Sequence, residues 1–155
     1  EVSGLTWKDH EFSTSALGEN AQGWDWFGLI FEDDRELMIG QIRLTTDEGR
    51  DPNFGGLMIY PDGSTEYLDA SEFTITETES WTSEKSGATY PAGWEMQINL
   101  PDETLTFTVS PLMNGQELYD TDPAYWEGAV RVEGDVTGYG YAELTGYVQT
   151  MQGRF

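Results

Sequence analysis

Residues 23 to 37 read GWDWFGLIFEDDREL. An acidic turn, Glu32-Asp33-Asp34, separates two runs rich in aromatic and aliphatic residues, WDWFGLIFE and RELMIGQIRL. Two such runs joined by a short polar turn read as an antiparallel hairpin. Side chains alternate along an extended chain, so Asp25 shares a face with Phe27 and Leu29. Trp24, Trp26 and Ile30 share the other face. An aspartate at the end of an apolar wall has two readings. It starts the strand and points to water, or it lines a pocket where desolvation favours the protonated acid and makes it a proton donor.

The same pattern continues along the chain. FGGLMIYPDGSTEYL reads as a hairpin turning at Pro61-Asp62-Gly63, and GWEMQINLPDETLTFTVSPL as another turning at Pro101-Asp102-Glu103. GLTWKDHEF and FTITETESWTS read as strands, and YWEGAVRVEG and YGYAELTGYV close the chain. Turn signals recur about every 8–12 residues, the spacing of an all-β barrel or sandwich. No long segment has helical periodicity, and only Ala16 to Gln22 suits a short helical turn. Consecutive hairpins predict an antiparallel up-and-down β-barrel of about eight to ten strands, wide enough to hold one small ligand.

Composition narrows the chemistry. A chain of 155 residues suits one domain with one core. Without cysteine, disulfides and thiolate catalysis are excluded, and a single histidine rules out a multi-histidine metal site. No metal or cofactor is expected. There are 29 acidic residues against 7 basic ones. That balance argues against nucleic acid, whose phosphates need clustered Lys and Arg. The acid is dispersed and lysine is scarce, which favours adaptation to high salt over a calcium-binding surface or simple solubility. No apolar run approaches the ~20 residues of a membrane helix. The start, EVSGLTWKDH, lacks an initiating Met and a signal peptide, and reads as a trimmed or excised form. The compartment is open between periplasm or secretion and the cytoplasm of a salt-adapted organism.

Three further groups are candidates for function. In WKDHEF, His10 lies between Asp9 and Glu11, and a neighbouring carboxylate can orient an imidazole; the ordinary alternative is a surface turn. In YWEGAV, Tyr125, Glu127, Ala129 and Arg131 share one face, while Trp126, Gly128, Val130 and Val132 share a core-like one. A surface pairing of Glu127 with Arg131 is the ordinary alternative there. From Tyr139 to Tyr147, alternation puts Tyr139, Tyr141, Glu143, Thr145 and Tyr147 on one side, as a pocket wall or an exposed edge. No G-x-S-x-G, P-loop or G-x-G-x-x-G motif is present. Carboxylate or histidine acid–base work and plain ligand binding remain.

Taken in order, WKDHEF, GWDWFGLIFEDDRELMIGQIR, SWTSEKSGATYPAGWEM, PLMNGQEL, YWEGAVRVEG and GYGYAELTGY resemble the lipocalin-like family of carotenoid 1,2-hydratase and AttH-like proteins. The resemblance covers nearly the whole chain. It implies a calycin-like barrel, the C-terminal one of a two-barrel parent, with a missing N-terminal barrel domain as partner. Phe12, where hydratase-like members often carry Trp, and the strong acidity depart from the pattern. The implied reaction is acid-catalysed addition of water to a terminal isoprenoid C=C. The implied catalytic residues are Asp25, as acid, and His10. The candidate ligand-binding wall is Trp24, Trp26, Glu11, Tyr125, Trp126, Glu127, Tyr141 and Glu143. An unactivated alkene needs a dry acid, and the resulting cation needs aromatic faces and negative charge. The implied partner is an apolar, isoprenoid-like small molecule. Three alternatives stand beside the hydro-lyase: a non-catalytic lipid carrier, a pericyclic catalyst, and an interaction module using the tyrosine stripe.

Overall fold

The structure, a computed structural model, describes residues 17–45 and 49–152 together with Glu1, Ser3 and Lys8. Ten strands follow one another: β1 (Ala21–Phe31), β2 (Glu36–Leu44), β3 (Gly56–Ile59), β4 (Thr65–Leu68), β5 (Phe73–Thr82), β6 (Thr89–Asn99), β7 (Thr104–Pro111), β8 (Glu117–Leu118), β9 (Tyr125–Gly134) and β10 (Gly138–Leu144). They form one sheet in the order β4-β3-β2-β1-β10-β9-β7-β6-β5, with the short β8 added to β9. Every neighbouring pair is antiparallel. The order is a meander in which β1 and β10 also pair, so its two ends fall at β4 and β5. This is the all-β, lipocalin-like barrel architecture expected.

Alternation builds the interior. Phe27, Leu29 and Phe31 of β1, Leu37 and Ile39 of β2, Trp94, Met96 and Ile98 of β6, and Leu105, Phe107 and Val109 of β7 are all buried in one core. Each such side chain contributes about 1.5–3 kcal/mol through removal from water. Phe31 and Phe107 meet edge to face at 5.6 Å, joining opposite parts of the wall. β1 and β10 approach this closely because residue 140 is glycine: a Cβ there would run into the Gly28 carbonyl oxygen and sit 2.6 Å from Leu29 Cδ2.

The two ends of the barrel differ. Short turns at 32–35, 60–64, 100–103 and 135–137 close one end. Arg35 ties two of them together, donating to Asp33 at 2.6 Å and to Glu103 at 2.7 Å. Thr137 Oγ1 donates to Glu32 at 2.7 Å and adds the turn between β9 and β10. The segments that follow β2, β5, β7 and β10 gather at the other end, where Leu112, Met113, Tyr119 and Val148 are exposed. Short closed turns at one end and longer segments at the other are how barrels present a mouth.

The predicted hairpin turns all lie between the strands expected. The helical turn proposed for Ala16 to Gln22 is corrected within the described residues: Glu19 and Asn20 form a plain turn, and β1 is already under way at Ala21. Pairing of Ala21 with Leu44 wins over local helix formation there. The strand expected in GLTWKDHEF falls outside the described residues.

Phe107→Ala is expected to lower the unfolding free energy by about 3–5 kcal/mol in a urea titration. A loss below about 1 kcal/mol would mean that this ring does not belong to the core.

Candidate functional site

At the open end the inner wall turns polar. Inward alternation on β1 runs Phe31, Leu29, Phe27 and then Asp25, which has no exposed surface. On β2 it runs Leu37, Ile39, Gln41 and Arg43, and Gln41 stands directly opposite Asp25. Gln41 Nε2 donates to Asp25 Oδ2 at 2.6 Å, and Arg43 Nε donates to Oδ1 at 3.2 Å. Tyr147 OH donates to the same Oδ1 at 2.9 Å. The Arg43 guanidinium also lies 3.8 Å above the Tyr147 ring and donates to the Thr145 carbonyl. Burial, and then the negative charge of Asp25, push the Tyr147 phenol well above the ordinary phenol range, so it stays a donor.

Alternation does not bring Tyr147 there. β10 ends at Leu144, and Gly146 adopts φ 75°, where a side chain is strained. Thr145 clamps this bend onto β1, its N–H donating to the Trp24 carbonyl at 2.9 Å. The bend turns Tyr147 inward, against the parity that placed it beside Tyr139 and Tyr141.

An aromatic stair leads from the rim to this cluster. Trp81 stacks on Tyr90 at 6.3 Å, and Tyr90 packs against Tyr147 at 5.1 Å. Glu117 fixes the middle step: it accepts from Tyr90 OH at 2.9 Å, from Ser86 at 2.5 Å and from Ser83. Burial and the Glu117 contact raise the Tyr90 phenol.

Glu77 is a further carboxyl of the mouth. It follows Phe73 and Ile75 on the inner face of β5 and stands in register with Trp94. A bulge between Glu77 and Glu79 re-aims the strand just beyond it. Glu77 is exposed to solvent. Desolvation, followed by the charge of Asp25, raises its carboxyl, while Arg43 and Arg50 pull it down.

The sequence-predicted residues divide between two faces. Trp24 and Trp26 point outward, away from Asp25, so the indoles do not form the pocket expected around that carboxyl. Outside the barrel, Trp26, Glu143 and Glu127 stand in one row across β1, β10 and β9. Tyr141 lies one step along, and Tyr125 joins them: burial and then the Glu127 charge raise its phenol. Trp126 points inward as expected and donates from Nε1 to the Asn114 carbonyl at 2.6 Å. His10 and Glu11 lie outside the described residues. A shallow cleft of about 400 Å³ adjoins Ile42, Leu44 and Pro52 on the outer side of the wall, and Asp25 does not line it.

Sequence reasoning missed Gln41, Arg43, Glu77 and Tyr90, and it named Tyr147 only in the Tyr139 stripe and not beside Asp25. Gln41 and Arg43 left a usable signal, as polar residues continuing the apolar alternation of Leu37 and Ile39. Tyr147 left none, because its orientation depends on the bend at Gly146.

Residues 1–147 match the AttH-like family. An AttH protein from Nitrosomonas europaea superposes with a TM-score of 0.77 at 32% identity, over 88% of this chain and 42% of that one. Kievitone hydratase from Nectria haematococca superposes with a TM-score of 0.64 at 21% identity, again over 88% and 42% of the two chains. At that identity the second likeness shows the fold. The chain thus spans well under half the length of either structure. No curated protein matches it.

Arg43→Met strands a buried carboxylate and is expected to cost about 3–5 kcal/mol, of which Arg43→Met with Asp25→Asn recovers most. Equal losses in the single and double variants would show that the charge pairing is not the cause. For Glu77, a raised carboxyl means that the folded state holds the proton more tightly than the unfolded chain. Stability therefore falls as pH rises through the ordinary glutamate range to the raised value. Glu77→Gln should melt higher than the parent at neutral pH, with the gap closing below about pH 4. A gap of constant size across pH would remove titration as its source.

Proposed function

The chain belongs to the AttH-like family, and from that premise we propose that it binds an elongated apolar, isoprenoid-like ligand at the open end of the barrel. We propose further that it takes part in adding water to a terminal C=C of that ligand, as one barrel of a two-barrel protein. The observation that carries this reading is the enclosed Asp25–Arg43–Gln41–Tyr147 cluster beneath an apolar rim. A rim of Leu112, Met113 and Val148 suits hydrocarbon, and a polar floor suits chemistry at its tip.

Hydration moves one proton to the less substituted alkene carbon and joins the water oxygen to the resulting tertiary cation. The added water then gives up one proton, which restores the acid. The resemblance gives the acid's part to Asp25. Three donors aimed at Asp25, one of them a guanidinium, favour a different part for it here: a fixed negative charge near the developing cation. Glu77 then carries the proton once a bound ligand shields its exposed side from water, since two nearby carboxyls in unlike environments divide acid and anion between them. The stair of Trp81, Tyr90 and Tyr147 offers π-faces to the cation. His10 enters the proposal through the resemblance alone.

A second reading is a non-catalytic carrier. Its support is that Asp25 already has three hydrogen-bond donors within the fold, as a structural aspartate would.

Mass spectrometry after incubation with an acyclic carotenoid separates the two. The hydro-lyase should add one water in the parent chain, and Asp25→Asn and Glu77→Gln should each slow this by about 10²–10⁴-fold. Bound pigment of unchanged mass in all three would establish the carrier. Failure to bind or convert pigment would sink both.

A further inference from the structure

Two polar atoms in the interior have no hydrogen-bond partner among the described residues: Gln41 Oε1 and Trp94 Nε1. Gln41 is 5% exposed and Trp94 1%. Folded proteins rarely leave such atoms unmet, and each one needs a reason. The orientation of the Gln41 amide is set by its other end. Its NH₂ donates to the Asp25 carboxylate at 2.6 Å, and turning the amide over would set oxygen against oxygen. The carbonyl is therefore the end left open. Trp126 provides the contrast for Trp94: both indoles are buried, yet Trp126 gives its N–H to the Asn114 carbonyl at 2.6 Å, while the Trp94 N–H meets no acceptor among the described residues.

Both residues border Phe27 on the inner wall. Trp94 meets Phe27 edge to face at 5.1 Å. Gln41 stands opposite Asp25, the next inward residue along β1, and so lies diagonally across the ladder from Phe27. One atom is an acceptor and the other a donor. A hydrocarbon satisfies neither. A carbonyl, ether or carboxylate satisfies only the indole, and an ammonium only the amide. A hydroxyl both accepts and donates, and satisfies the two together.

We propose that Gln41 and Trp94 form a hydroxyl seat inside the barrel, and that the preferred ligand is an isoprenoid alcohol whose hydroxyl-bearing end enters first. The proposal rests on the reading that the open end takes an apolar ligand. It deepens that reading, because the seat that holds a product hydroxyl also holds the water from which it forms. Selectivity then comes from the buried polar atoms, which reject a ligand that leaves them unpaired.

The test is calorimetric titration of the full chain with geranylgeraniol, its methyl ether and the hydrocarbon of the same skeleton. The alcohol should bind about tenfold tighter or more than the hydrocarbon, with the ether between them. Trp94→Phe and Gln41→Met should each reduce that advantage to about threefold or less. In the parent chain, the indole ¹⁵N–¹H signal absent from Trp94→Phe should move downfield with the alcohol and stay in place with the hydrocarbon. This last readout is made on the parent chain, and the variant serves only to assign the signal. Equal affinity for alcohol and hydrocarbon overturns the seat and leaves the apolar-ligand reading standing. An alcohol preference that survives both variants, or an unmoved indole signal, overturns the assignment to these residues. Binding of none of the three overturns the seat and the apolar-ligand reading together.

Discussion

A carboxylate sealed from water must be answered by charge and hydrogen bonds at the place where it stands, and much of this barrel's open end is arranged around Asp25. Arg43 lies within the wall to reach it, Gln41 faces it across the ladder, and Tyr147 comes from a bend beyond the last strand. That bend holds the chain after β10 against the start of β1 through Thr145. Removing the anion would leave Arg43 with the Thr145 carbonyl, the Tyr147 ring face and the charge of Glu77, and would take away the acceptor that Tyr147 uses at Asp25. The cluster is coupled in the sense that each member's position depends on the others.

The same economy governs the rest of the charge. In a chain with 29 acidic and 7 basic residues, cations are scarce. Three of them hold structure at separate points. Arg35 joins two turns at the closed end, Arg43 neutralises Asp25 within the wall, and Arg50 donates to the Ile75 carbonyl of β5. β5 ends the pairing path, so that last contact occupies an edge carbonyl that another strand would otherwise reach. Carboxylates far outnumber the cations that could answer them, and their mutual repulsion is a load that screening by salt would lighten.

The hairpins were legible because period-two alternation and turn chemistry are local. PDG and PDE turns fall between the predicted strands, and Asp25 lies on the Phe27 and Leu29 face as parity requires. Parity also separates Asp25 from Trp24 and Trp26, so closeness in sequence misled where alternation did not: the three side chains that looked like one pocket lie on two faces of one wall. Tyr147 shows the limit of alternation as a guide. One glycine at φ 75° reverses the facing of the next residues, and no period-two pattern reports it. Glu77 was hidden for a different reason. A threonine-rich and glutamate-rich edge strand looks like solvated surface, and only the curvature of the sheet brings it near Asp25.

Satisfaction and its absence lie side by side in this interior. Asp25, the residue that sequence singles out, has every donor it needs, whereas Gln41 and Trp94, which sequence passes over, each keep one atom open. A fold selected for stability alone would replace both with apolar side chains of similar size, since an unmet polar atom costs more than its absence. Gln41 has a second duty at Asp25 that explains its amide nitrogen but not the direction of its oxygen. Trp94 has none, because Phe at that position would keep the edge-to-face contact with Phe27 and lose only the N–H. A buried indole whose one polar atom no described residue uses is what the proposed ligand hydroxyl would answer.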